Sequence, residues 1–239
     1  MSLKVFADLM SQPARAVVIF CRAAGIPHEH VNVRITAGDT KTEEYTKMNP
    51  LQKVPVIKDG DFILTESVAM FRYLAREKSV ADHWYPSDSK AQAKVDEYLE
   101  WQHLNTRMMC AGYFIERWLK PMMTKKFNEK SVAATKKTME ACLDDFERVW
   151  LEGGKKKYVV GDKISVADIL AVCEMEQPTM AGYDVTEGRE VLGEYIRRVK
   201  GELNPHYDEV SAVVFKMRDR LGGNVPGVYP PPGDNKAKM

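Results

Sequence analysis

Hydrophobic positions in the first 80 residues follow two different spacings. Short apolar runs of strand length occur over residues 3–9 and 28–33, and a pattern of helical period lies between them over residues 15–24. Residues 56–64 form two further short runs around Asp59-Gly60, a dipeptide typical of a tight hairpin. These spacings predict a βαβ unit followed by a ββα unit.

The strongest local signals lie around the predicted hairpin. Val54-Pro55 places a proline at the start of an apolar run, where it marks a strand start or a cis turn. Thr65-Glu66-Ser67 opens a helix with apolar positions at helical spacing. A helix N-terminus carries unpaired N–H groups and partial positive charge. A proline-led strand edge beside such a helix start is therefore suited to a peptide with a free α-carboxylate.

The rest of the chain carries helical patterns. They predict helices over residues 91–120 (closed by Pro121), 130–151, 187–200 and 207–220. Ser165-Val-Ala-Asp168 resembles a capping box, with Ile164 placed as a hydrophobic staple for a helix buried on most sides. The predicted organisation is a first domain over 1–80, a linker over 81–88, an all-helical domain over 89–221 and a flexible tail over 222–239.

Composition narrows the class of protein. With 35 basic and 34 acidic residues among 239, the net charge is +1, which gives no global field for nucleic acid or an anionic membrane. No apolar run reaches the ~18 residues of a membrane span, and the N-terminus lacks a signal-peptide pattern. The four cysteines are widely spaced in apolar segments, which is typical of reduced, buried thiols. Composition thus predicts a cytoplasmic protein with no nucleic-acid or membrane partner.

Several segments match sequence motifs of one known family. They are Leu-Met-Ser-Gln-Pro-Ala-Arg-Ala at 9–16, Asn-Pro-Leu-Gln-Lys-Val-Pro at 49–55, Asp-Gly-Asp-Phe at 59–62, Thr-Glu-Ser at 65–67, Trp-Tyr-Pro at 84–86 and Val-Asp-Glu-Tyr-Leu-Glu-Trp-Gln-His at 95–103. On these residues the chain resembles the cytosolic glutathione transferases, and among them the theta class. The resemblance covers residues 4–107 closely and extends in weaker form to about residue 198.

The resemblance implies a fold, a co-substrate and an assembly. The expected fold is a thioredoxin-like α/β domain (βαβ-ββα) that binds glutathione, followed by an all-α domain that binds a hydrophobic electrophile. Reduced glutathione is the expected co-substrate, with no metal and no permanently bound cofactor. A homodimer is expected, in which the N-terminal domain of one chain faces the helical domain of the other.

The expected catalytic residues are Ser11 and Arg15. The thiolate of glutathione is the nucleophile, and a free thiol with a pKa of ~8.5 is only slightly ionised at neutral pH. A hydrogen bond from the Ser11 hydroxyl would stabilise the thiolate; the alternative is that Ser11 only caps the helix that follows. Arg15 would either help polarise the thiolate site or pair with an acid along its own helix.

The remaining site residues carry over from the family motif. Ser67 is expected to hold the α-carboxylate of the γ-glutamyl unit and Glu66 its α-ammonium group, although both also suit a helix cap. The other expected contacts are Gln12 with the γ-glutamyl unit, Val54 with the cysteinyl main chain, Lys41 and Lys53 with the glycyl carboxylate, and Arg107 with the second substrate or across the dimer seam.

The chain departs from the family pattern at two positions. Thr40 stands where theta members commonly have histidine, and Leu104 where some relatives place an acid. Methionine and aromatic side chains on the nearby helix either line the electrophile pocket or belong to the core; they are Met108, Met109, Tyr113, Phe114 and Trp118.

The predicted function is conjugation of glutathione to halides, epoxides or activated alkenes, with reduction of organic hydroperoxides as a variant of the same thiolate chemistry. Two alternatives remain open: a non-catalytic protein that binds glutathione or apolar ligands, and a thiol-disulfide transferase. Serine rather than cysteine at position 11 argues against the second.

Overall fold

A four-stranded sheet forms the centre of the N-terminal domain in the computed structural model, which describes residues 2–221. Its strands are β1 (Leu3–Ala7), β2 (His28–Asn32), β3 (Val56–Asp59) and β4 (Phe62–Leu64), in the order β2-β1-β3-β4. β1 runs parallel to β2 and antiparallel to β3, and β3 and β4 form a hairpin. The hairpin turns at Gly60, whose φ of 62° suits glycine. This is the predicted thioredoxin-like arrangement, and the predicted tail over 222–239 lies outside the described residues.

Three helices complete this domain: α1 (Gln12–Ala23), α2 (Glu43–Met48) and α3 (Ser67–Glu77). α1 begins at Gln12, before the helical pattern over residues 15–24, and Pro13 lies in its first turn, as predicted, where its missing N–H is not needed. The helix packs against β1 and α3 and also against two helices of the second domain, so its first ten residues are all buried. Polar side chains near its start are therefore enclosed between the two domains.

The second domain is helical. Its helices are α4 (Ser89–Trp101), α5 (Thr106–Phe114), α6 (Lys120–Thr124), α7 (Glu129–Asp145), α8 (Val166–Met175), α9 (Glu190–Leu203) and α10 (His206–Leu221). Within residues 2–221, no helix is long and apolar enough to cross a bilayer. All four cysteines are buried and unpaired with one another, as predicted.

The prediction of one helix over 91–120 that ends at Pro121 is wrong in two respects: the helix is interrupted in its interior, and the chain does not stop being helical at Pro121. A short 3₁₀ turn and Asn105, with φ −115° and ψ −107°, separate α4 from α5. At the other end, a π turn over Ile115–Leu119 leads into α6, and the chain stays helical past Pro121 until Lys125 adopts a left-handed conformation. Proline fits here because it occupies the first turn of α6, directly after the wider π turn.

α8 is the most deeply buried helix of the second domain. All ten of its residues are buried, and Ile164, directly before its cap, is 4% exposed. The N–H of Ser165 donates to Asp168 Oδ2 over 2.9 Å, which is one half of the predicted capping box. Both the capping motif and the burial predicted for this helix are confirmed.

Candidate active site

A cavity of about 230 Å³ lies where the loop before β3, the start of α3 and the α4–α5 junction meet. It brings together five of the predicted site residues, namely Lys53, Val54, Glu66, Ser67 and Arg107. Its other walls come from residues for which no ligand contact was predicted from the sequence: Pro13, Asn49, Pro55, Gln102, His103 and Glu174. The two domains therefore build one polar cavity.

Local structure fixes one edge of this cavity. The Val54-Pro55 peptide bond is cis. Just before it, the carbonyl oxygen of Lys53 accepts hydrogen bonds of 2.8 Å from both the Tyr45 hydroxyl and Asn49 Nδ2. These two donors hold the loop after α2 in place, so that the Val54 main chain is presented to the cavity.

The opposite edge is the start of α3. Ser67 is its first residue, and the preceding Glu66 has φ 66° and ψ 111°, a conformation that a non-glycine residue rarely adopts. Such a conformation costs about 1–3 kcal/mol and occurs mostly at functional sites. The Glu66 side chain makes no capping hydrogen bond, so its carboxylate is available to a ligand.

Ser11 lies at the junction of β1 and α1, outside the walls of this cavity. It occupies the N-cap position of α1 with extended backbone angles, and its side chain makes no capping hydrogen bond. The structure therefore does not support the alternative that the Ser11 hydroxyl only caps the helix. Lys41 is also outside the cavity, exposed to solvent, while the neighbouring Thr40 is buried.

Gln12 and Arg107 connect the two domains beside the cavity. Arg107 Nη1 donates to Gln12 Oε1 over 2.8 Å, and burial lowers the pKa of Arg107. Gln12 Nε2 is buried without a hydrogen-bond partner among the described residues. Arg107 therefore lines the same cavity as Glu66 and Ser67.

Arg15 does not pair with an acid along its own helix, since α1 contains none; that alternative is wrong. It is fully buried, and its guanidinium donates to the carbonyl oxygens of Leu9 and Met10 over 2.9 and 3.2 Å. It also reaches the second domain, donating to the Cys173 carbonyl over 3.1 Å and to Gln177 Oε1 over 2.7 Å. Arg15 thus fixes the turn that carries Ser11 to the helical domain.

A second cleft, of about 340 Å³, lies beside that turn. It is bounded by Leu9, two residues before Ser11, and by one face of α10. Its surface is mainly apolar because α10 contributes Val210, Ala212, Val213 and Met217. This cleft could not be predicted from the sequence, because Leu9 and the α10 residues that form its walls are far apart in the chain.

The aromatic residues predicted either for a pocket or for the core belong to the core. Tyr113, Phe114 and Trp118 are 6–7% exposed. Phe114 stacks on Trp118 with ring centroids 5.4 Å apart, and Tyr113 meets Tyr183 edge-on at the same distance. Met109 is partly buried against this cluster, whereas Met108 is 46% exposed.

Glu174 is the least expected residue in the cavity wall. It is fully buried, and burial raises its pKa to about 8 although a hydrogen bond from Thr106 and the positive charge of Arg107 oppose that change. The titratable groups that surround it are Tyr98, Arg107, Cys110 and Cys142 on the neighbouring helices and Cys173 on its own helix. The hydrophobic pattern of the sequence does not indicate that Glu174 belongs to a site, because this residue follows a run of buried apolar positions.

This pKa predicts how stability depends on pH. The folded protein holds the Glu174 proton more tightly than the unfolded chain does, so this group stabilises the fold below its ordinary pKa of 4.5 and loses that effect as pH rises towards 8. We expect Glu174→Gln, which does not titrate, to gain stability relative to the wild type between pH 5 and 8, by at most about 1.4 kcal/mol per pH unit. Urea unfolding at each pH measures this, with the exposed Glu187→Gln as control; parallel curves would contradict it.

Comparison with known proteins places the chain in a family. Residues 1–76 match the model of the glutathione S-transferase N-terminal domain and residues 113–201 that of the C-terminal domain. The chain is 38% identical over 221 residues to glutathione S-transferase theta-3 of Mus musculus and to glutathione S-transferase theta-1 of Homo sapiens, covering 92% of this chain and 91% of each relative.

Solved structures agree with the sequence comparison. Human glutathione-S-transferase T1-1 in its apo form superposes with a TM-score of 0.87 at 38% identity, covering 91% of both chains. A human theta-class transferase in complex with the glutathione conjugate of 1-menaphthyl sulfate gives the same TM-score at 35% identity, covering 95% of this chain and 93% of the other. The chain therefore belongs to the glutathione S-transferase family and resembles its theta class.

Proposed function

We propose that the protein transfers the thiolate of reduced glutathione to an electrophilic carbon of small hydrophobic molecules, such as halides, epoxides or activated alkenes. The observation that carries this proposal is the cavity that joins the cis Val54-Pro55 turn to the exposed start of α3 at Glu66-Ser67. A strand edge and a helix start suit a peptide with a free α-carboxylate. The glutathione conjugate bound by a theta-class relative supports the same function.

Each end of glutathione has a matching group. Ser67 and the N-terminus of α3 receive the α-carboxylate of the γ-glutamyl unit, and Glu66 accepts from its α-ammonium group. Gln12, whose amide nitrogen is buried and free, contacts the same unit. Lys53 lies in the cavity wall and suits the glycyl carboxylate, whereas Lys41 has to approach from the exposed loop.

Ser11 acts on the sulfur. Its hydroxyl, which does not cap α1, donates a hydrogen bond to the thiolate, and the start of α1 adds positive potential. A hydrogen bond to a charged group contributes about 1.5–3 kcal/mol, which lowers the thiol pKa by about one to two units. The thiolate then forms the carbon–sulfur bond, while the halide leaves or the epoxide oxygen departs from carbon and takes a proton from water.

The cleft between Leu9 and α10 suits the electrophile. It lies beside the turn that carries Ser11, and its mainly apolar surface matches a hydrophobic substrate. Arg15 supports this arrangement because it fixes the Leu9 and Met10 carbonyls between the two substrate sites. The same thiolate could also attack the terminal oxygen of an organic hydroperoxide: the O–O bond breaks, the alkoxide takes a proton from water, and a second glutathione converts the resulting sulfenic acid to the disulfide and water.

The alternative functions have less support. Thiol-disulfide exchange needs an accessible cysteine of lowered pKa, whereas all four cysteines are buried and burial raises the pKa of Cys21 and Cys173 to about 12. The theta-class relatives favour the enzyme over a non-catalytic binding protein. The free, reduced thiols also support our proposal of a cytoplasmic location.

The test is glutathione-dependent turnover of a panel of halides, epoxides, activated alkenes and hydroperoxides, measured together with glutathione affinity. Turnover of one or more of these substrates supports the proposal and begins to define the electrophile. Glutathione binding without turnover of any of them would favour the non-catalytic alternative.

We further propose a homodimer, with domains divided as 1–80 and 89–221 around a linker at 81–88. Leu51 is 64% exposed in the first domain and Leu104 is 66% exposed in the second, so each domain carries a large apolar side chain that a partner could bury. We expect light scattering to give about twice the 27.2 kDa of one chain. A monomeric mass at micromolar concentration would contradict the homodimer.

A further inference from the structure

Glu174 has one carboxylate oxygen paired and the other unpaired. Oε2 accepts a hydrogen bond of 2.7 Å from the Thr106 hydroxyl, which lies 3.3 Å from the Tyr98 hydroxyl. Oε1 is buried and has no hydrogen-bond partner within residues 2–221. A buried acceptor without a donor costs about 1–3 kcal/mol. A ligand that brings a donor to this wall would remove that cost.

Glu174 lines the same cavity as Glu66 and Ser67, but from the other domain. Glu66 lies at the exposed rim, whereas Glu174 forms part of the buried wall. Arg107 lies near enough to favour the ionised form of Glu174, yet its hydrogen bond goes to Gln12. The cavity therefore has a second carboxyl group that no described side chain neutralises through a direct ion pair.

The γ-glutamyl unit of glutathione supplies the matching chemistry. Its α-ammonium group carries three N–H donors, of which Glu66 accepts one. We propose that Glu174 is a specificity-determining residue, whose free oxygen accepts a second hydrogen bond from the α-ammonium group of glutathione. This inference rests on the proposed function, because it assumes that the γ-glutamyl unit occupies this cavity.

Glutathione binding should change the protonation state of Glu174. Burial raises the pKa of Glu174 to about 8, so the carboxyl is mainly protonated at pH 7 before the ligand binds. An ammonium group placed against it favours the ionised form. Binding of the α-ammonium group should therefore release a proton from Glu174, in addition to any proton that the glutathione thiol releases.

The first test compares two ligands with two proteins. The ligands are glutathione and its γ-glutaryl analogue, in which hydrogen replaces the α-ammonium group; the proteins are the wild type and Glu174→Gln, which keeps the shape and the oxygen facing Thr106. We expect Glu174→Gln to weaken glutathione binding about tenfold or more, and binding of the analogue by less than about threefold. Equal losses for the two ligands would mean a merely structural role and would overturn the proposal.

Glu176→Gln is the matched control. Glu176 is a buried acid two residues further on, but it is paired with Lys200 and Tyr207 and lies outside the cavity. It should not change the preference for glutathione over the analogue. A change of preference equal to that of Glu174→Gln would overturn the proposal. If the wild type binds no glutathione, the proposed function itself fails, which is a distinct result.

A second test uses only the wild type, and so does not depend on the folding of a variant. S-methylglutathione keeps the α-ammonium group but has no thiol to ionise. Calorimetry at pH 7 in buffers of different ionisation enthalpy should show that its binding releases a proton, and that binding of its γ-glutaryl counterpart does not. Equal proton release by the two ligands would overturn the proposal.

Discussion

Ser11→Ala should lose most of the glutathione-dependent turnover while still binding glutathione. The hydroxyl is expected to donate to the thiolate, and a hydrogen bond to a charged group contributes about 1.5–3 kcal/mol, so kcat should fall about 10- to 100-fold. The glutathione affinity should change little, because Lys53, Glu66 and Ser67, which we propose to hold its two ends, lie in the cavity formed by α3 and the loop before β3. Steady-state kinetics and calorimetry measure the two quantities.

The stability of Ser11→Ala distinguishes a role in stabilising the thiolate from a role in helix capping. Replacing a serine that caps a helix typically costs about 1 kcal/mol, but the Ser11 side chain makes no such bond, so the free energy of unfolding should be nearly unchanged. The main-chain bond from Ser11 N to the Asp8 carbonyl, 2.9 Å long, is present in both proteins. Ser11→Thr, which keeps a hydroxyl, is the control and should retain more turnover. Unchanged kcat with lowered stability in Ser11→Ala would contradict the thiolate role.

The elements that the sequence predicted well are those specified by neighbouring residues. The β3–β4 hairpin follows from Asp59-Gly60, and the start of α3 from the polar residues before Val68, so both lie where predicted. The helix end predicted at Pro121 was wrong because the π turn that precedes this proline depends on packing rather than on local sequence. Helix patterns alone could not show that the chain remains helical beyond this proline.

The candidate site was predictable mainly in the first domain; of the cavity residues from the second domain, only Arg107 was predicted. Family motifs identified Glu66, Ser67 and Val54, and the structure brings these three into one cavity. The contribution of the second domain depends on contacts between residues far apart in sequence. Arg15 meets Gln177 across 162 positions, and Glu174 reaches the cavity from a helix whose buried positions gave no sign of a site.

Asp168 accepts four hydrogen bonds in the helical domain. Its Oδ1 accepts from Val159 N over 2.8 Å and from the Tyr195 hydroxyl over 3.0 Å. Its Oδ2 accepts from the N–H and the hydroxyl of Ser165 over 2.9 and 3.0 Å. The carboxylate is fully buried and thus connects the preceding loop, the start of α8 and α9.

Asp168→Ala should therefore lower the free energy of unfolding by about 3–5 kcal/mol, since it leaves four buried donors without an acceptor. For a chain of this size that corresponds to a fall in Tm of roughly 6–20 °C. Thermal and urea unfolding followed by circular dichroism measure the change. The control is Asp162→Ala in the exposed loop before α8, which should stay within about 0.5 kcal/mol of the wild type. Because Asp168 lies outside both clefts, glutathione affinity at low temperature should be retained. Equal stability of the two variants would show that α8 is held by its apolar packing rather than by this carboxylate.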